Sequence, residues 1–95
     1  MNWAADRHTS RFPFRQPVGL EIWEPGVGHC RQEGTGIDLS SDGGGLATQY
    51  PLQQGDVVKL LIPVGVMNLR LPVYAQVAWS KAVADGYRAG VTFLA

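Results

Sequence analysis

The chain has a single cysteine, Cys30, so no disulfide can close within it, and its cysteine usage fits a reducing compartment. It has no excess of either charge, because 8 Lys and Arg balance 8 Asp and Glu. That balance leaves no broad basic field for nucleic acid and no polybasic patch for a membrane surface. No apolar run approaches the roughly 20 residues of a spanning helix. The start, Met1-Asn2-Trp3-Ala4-Ala5-Asp6, lacks the pattern of a signal peptide. The expectation is a cytoplasmic protein with no nucleic-acid partner and no membrane insertion. His29 and Cys30 are adjacent and so point to opposite faces of a strand, His8 is remote, and no CxxC or HxxxH spacing exists. Neither a metal site nor a nucleophile with its base is expected, and catalysis with them. Trp3, Trp23, Tyr50, Tyr74, Trp79 and Tyr87 are scattered and not interleaved with basic residues, which argues against a barrel for single-stranded nucleic acid.

What is present is alternation. Ninety-five residues make one domain with one modest core. Residues 1–13 read as a polar, flexible arm ending at Pro13, and residues 14–95 as the folded part. From Gln16 the period is two, with Val18, Leu20 and Ile22 on one face and Gly19, Glu21 and Trp23 on the other. Pro25-Gly26-Val27-Gly28 is a turn that joins this strand to the one ending at Asp38. Thr35, Ile37 and Leu39 predict an apolar face on that second strand, with Asp38 and Ser40 together on the opposite face. Gly43-Gly44-Gly45 predicts a break, followed by a third strand from Leu46 to Tyr50.

Val58, Leu60, Ile62 and Val64 mark a fourth strand, ended or bent by Pro63 and Gly65. Leu71, Val73, Ala75, Val77 and Trp79 alternate cleanly, so a strand to about Trp79 and a turn over 81–86 are preferred to an alanine-rich helix. Read this way, Trp79 continues an apolar face and packs on the core. Tyr87, Ala89, Val91 and Phe93 face inward on the last strand, with Arg88, Gly90 and Thr92 outward. Five to six short strands with frequent turns point to an all-β fold, a small antiparallel barrel or sandwich. Closing the sheet would remove its unpaired edges.

Two short patterns carry the functional signal. Arg7-His8-Thr9-Ser10-Arg11 is RxxxR, and Asp38-Leu39-Ser40-Ser41-Asp42-Gly43 is DxSxxG. In this order, separated by one predicted hairpin, they resemble the motifs of the PilZ domain, a bacterial receptor module for cyclic di-GMP. Arg11-Phe12-Pro13-Phe14, Gly43-Gly44-Gly45-Leu46, Val77-Ala78-Trp79 and Gly90-Val91-Thr92-Phe93 extend the resemblance over nearly the whole chain. It implies a six-stranded antiparallel PilZ-like barrel that binds cyclic di-GMP and relays its level to an unidentified effector protein, with no cofactor. The implied binding residues are Arg7, Arg11, Asp38, Ser40 and Gly43, with Trp79 in the place of an aromatic that stacks a base.

The residue types suit that ligand. Arginine's paired planar donors match both phosphate oxygens and the O6/N7 edge of guanine. A carboxylate such as Asp38 only accepts, so it suits the N–H donors on guanine's other edge. Ser40 can donate to a phosphate or orient Asp38, and Gly43 admits close backbone approach. Each also has a plain structural reading. The arginines fit a solvated tail, Asp38 and Ser40 a hydrogen-bonded turn, and the glycines a bend. The other functional reading is a PilZ-like protein–protein adaptor that binds no nucleotide; such members usually lack both motifs, which are intact here. Some relatives place Arg or Lys directly before the first motif arginine and bind two stacked ligands. Asp6 stands there in this chain, which predicts one nucleotide per chain.

Overall fold

The computed structural model describes residues 12–24, 26–65 and 69–94; Asp6, Arg7 and Arg11 lie outside them. Among the described residues there are seven strands and no helix: β1 (Phe12–Pro13), β2 (Pro17–Glu24), β3 (Gly28–Leu39), β4 (Gly43–Thr48), β5 (Val57–Val64), β6 (Leu69–Val83) and β7 (Gly86–Phe93). All pairings are antiparallel in the order β1-β3-β2-β5-β6-β7-β4, and a further β3–β4 pairing closes the sheet. Six strands therefore make a closed barrel, as the resemblance implies; of the barrel and the sandwich that alternation left open, it is the barrel. The short β1 is an annex, with Phe12 opposite Leu39 and Pro13 opposite Asp38.

The core is the set of inward alternating positions. Val18, Leu20 and Ile22 of β2 meet Val58, Leu60 and Ile62 of β5, Ala75 and Val77 of β6, and Ala89 and Val91 of β7. Phe14 covers the core at Gly36, where a Cβ would lie 2.6 Å from the ring's Cδ2. Pro63 sits inside β5, not at its end. It is tolerated because pairing with β2 stops at Leu61, so its missing N–H costs no ladder bond on that side.

Several boundaries and faces differ from the sequence reading. The three glycines are strand, not break. They open β4, held between β3 and β7 through pairs such as Gly44 with Leu39 and with Val91. Two-sided pairing overrides glycine's weak strand propensity. β6 runs on to Val83, because Lys81, Ala82 and Val83 find partners in Arg88, Tyr87 and Gly86. The turn shrinks to Ala84-Asp85, with Gly86 at φ 139°.

Thr35, Ile37 and Leu39 do not form one inward face. Up to Gly36 the even-numbered residues of β3 face the core, and Thr35 is exposed. A β-bulge between Gly36 and Asp38 leaves Ile37 without a partner on β4 and reverses the alternation. Leu39 then pairs with inward Gly44, and Asp38 faces out. A second bulge between Val77 and Trp79 does the same on β6. Val77 is buried against Val91, whereas Trp79 turns to the outer wall and does not join the core.

Candidate functional site

The two bulges place Asp38 and Trp79 on one row of the outer wall. Across the strands the register reads Asp38 on β3, Gly45 on β4, Gly90 on β7 and Trp79 on β6. Residues directly opposite in antiparallel strands point to the same face. The next residues along, Leu46 and Ala89, are core, so this row faces outward. Three strand spacings of about 4.8 Å separate the outer pair, roughly 14 Å between their Cα atoms.

Both side chains lean over the glycines between them. A Cβ built on Gly45 would lie 3.1 Å from Asp38 Oδ1, and one on Gly90 would run into Nε1 of Trp79, with Cε2 at 2.6 Å. A carboxylate stands at one end and a half-buried indole lies over the other. The floor has no side chains of its own. Only glycine leaves room for these approaches.

Asp38 is fixed from within the sheet, since the Gly45 N–H donates to its Oδ1 at 2.9 Å. Ser40 lies one residue beyond β3 and is buried. Its hydroxyl donates to the Gly43 carbonyl at 3.2 Å and accepts from the Asp42 N–H at 3.3 Å. The Ser40 N–H donates to the same Gly43 carbonyl at 2.8 Å, and the Phe93 N–H to the Asp42 carbonyl at 2.8 Å. Ser40 thus builds the turn that carries β3 into β4, and its hydrogen bonds lie within that turn. Gly43 is buried in β4 opposite Thr92. The glycines beneath the Asp38 and Trp79 side chains are Gly45 and Gly90.

Gly90 is the position that sequence reasoning missed, while Gly45 stood out only as part of the glycine triplet. A glycine inside an alternating strand, as in Ala89-Gly90-Val91, is a signal of close approach. Here it marks the seat of Trp79. Of the predicted residues, the structure brings together Asp38, Ser40, Gly43 and Trp79. Arg7 and Arg11 lie outside the described residues, but Phe12, the residue that follows Arg11 in the chain, is paired with Leu39 beside Asp38. One surface depression of about 450 Å³ is bordered by Thr35, Ala47 and Arg88, and another of about 530 Å³ lies beside Trp23 and Tyr50; neither is lined by Gly45 or Gly90. No group of three or more His, Cys, Asp or Glu among the described residues is placed to hold a metal.

Comparison with curated proteins returns no match. A family profile described as PilZ domain matches residues 5–95. That span takes in both motifs, both bulged strands and both glycines of the floor. With a closed six-stranded antiparallel barrel beneath it, the chain belongs to the PilZ domain family, a family of receptor-type domains of the cyclic di-GMP-binding kind.

Proposed function

We propose that this domain binds cyclic di-GMP on the outer wall of the barrel, with a guanine over the Gly45–Gly90 floor between Asp38 and Trp79. The observation that carries the reading is the row itself. Two separate bulges turn a carboxylate and an indole to the same face, and two glycines between them let both side chains lie close against the sheet. Asp38 accepts from the guanine N–H edge, and the indole supplies a stacking surface. Arg7 and Arg11 bring guanidinium groups to the phosphates and to the O6/N7 edge. Their delivery to this wall is favoured by the β1–β3 pairing, which fixes Phe12 next to the acid. Ser40 and Gly43 act by shaping the turn that holds Asp38 in place. The domain is a receptor and not an enzyme. It acts in the cytoplasm, consistent with its lone cysteine, and passes ligand occupancy to a separate effector protein.

Calorimetric titration with cyclic di-GMP tests this reading. Asp38→Asn is the informative variant because it keeps an oxygen for the Gly45 N–H. It also sets an amide donor against the donors of guanine. The expected result is a folded protein with affinity reduced about ten- to hundredfold, and a comparable loss for Arg7→Ala and Arg11→Ala. Unchanged affinity in Asp38→Asn and Arg11→Ala would refute the site.

A further inference from the structure

Two residues along the strands from the floor, a second outward row reads Thr35, Ala47, Arg88 and Lys81. Arg88 lies directly opposite Lys81 across the β6–β7 pair, and both side chains are exposed. Like charges facing each other across a strand pair destabilise a sheet. Elsewhere on the outer wall basic residues are matched to acids: Lys59 lies 3.7 Å from Glu21, Arg70 is 3.4 Å from Glu33, and Arg31 is 3.9 Å from the same carboxylate. Lys81 and Arg88 form no ion pair among the described residues. Of the carboxylates bordering the same depression, Glu33 is held by Arg70 and Arg31, and Asp85 lies in the β6–β7 turn.

On β4, β6 and β7 the second row is offset from the floor by two residues, about 6.6 Å, and on bulged β3 by three. Ala47 puts only a methyl group at the β4 position beside Arg88. The geometry points to a phosphate subsite formed by Lys81 and Arg88, which holds a phosphate of the nucleotide whose base lies between Asp38 and Trp79. The offset matches the span from a nucleotide's base to its own phosphate. The inference rests on the proposed ligand site and adds to it two anchors on the rigid barrel, distinct from the motif arginines. Arginine supplies paired donors and lysine a point charge, a combination that holds an anion without reading a base.

The test titrates three proteins with cyclic di-GMP at low and high salt: the parent, the double variant Lys81→Ala/Arg88→Ala, and Lys59→Ala as a control for lost positive charge elsewhere on the barrel. Melting of each protein without ligand is measured alongside. The double variant is expected to bind about ten- to hundredfold more weakly, with a smaller salt dependence than the parent. Its melting temperature without ligand is expected to hold or rise, because opposed like charges have been removed. Lys59→Ala is expected to bind like the parent. A double variant that matches the parent in affinity and salt response would overturn the subsite while leaving the ligand site standing. Weaker binding accompanied by a fall in melting temperature would also overturn it, as a structural effect. A parent that does not bind at all would overturn both readings.

Discussion

Gly90→Ala sets two known effects against each other at the floor. The φ of Gly90 is not positive, so alanine fits the backbone, and the loss of unfolded-state freedom alone would stabilise the fold by about 0.4–1 kcal/mol. Against this, the new methyl would lie 2.6 Å from Cε2 and 2.9 Å from Cδ1 of Trp79, besides its clash with Nε1. Overpacking of this kind costs about 1–3 kcal/mol. The clash wins, and because Trp79 is only half-buried the indole moves away and the barrel survives. The net loss is roughly 0.5–2 kcal/mol, seen as a fall in melting temperature of about 2–16 °C. Displacing the stacking surface removes about 1–3 kcal/mol of base contact, a loss of roughly five- to hundredfold in affinity for cyclic di-GMP. Thermal melting by circular dichroism and calorimetric titration of the same sample give both numbers. A variant that melts and binds like the parent would show that Trp79 does not depend on Gly90 for its seat and that the floor is misassigned.

Ser40→Ala removes a buried hydroxyl with two hydrogen bonds in the β3–β4 turn, and is expected to cost about 1–2 kcal/mol in chemical denaturation and to weaken binding through the displaced Asp38. Leu60→Ala, at a fully buried core position, is expected to cost about 2–5 kcal/mol in the same assay, a large share of the stability of so small a domain. Asp6→Arg is expected to move the calorimetric ratio of cyclic di-GMP to protein from one toward two, since it replaces a like charge beside a second ligand with a stacking cation.

The barrel was legible because alternation is a local signal. Val18, Leu20 and Ile22, like Ala89, Val91 and Phe93, keep the period of two for the whole of their strands, so face and burial follow directly. The site was legible only as a list of residues. Its geometry depends on two places where alternation fails, and nothing in Gly36-Ile37-Asp38 or Val77-Ala78-Trp79 taken alone marks the unpaired residue. A bulge arises from what the partner strands offer, here the Gly45–Gly90 pair, and that is a long-range property. The same cause misplaced Thr35, Ile37 and Leu39 on one face and put Trp79 in the core. The glycine triplet misled for a related reason. Glycine's local preference argues for a break, and only pairing on both sides by β3 and β7 makes it strand.

The most direct test of the account follows the backbone amides and the indole N–H signals by nuclear magnetic resonance while cyclic di-GMP is added to the parent protein. The largest shifts are expected at Gly45, Gly90 and the Trp79 indole, with smaller ones along Ala47 and Arg88. The exposed Trp23 and the depression beside Tyr50 should stay unmoved. Shifts centred on Trp23 and Tyr50, or spread through the core with Gly45 and Gly90 unaffected, would contradict it.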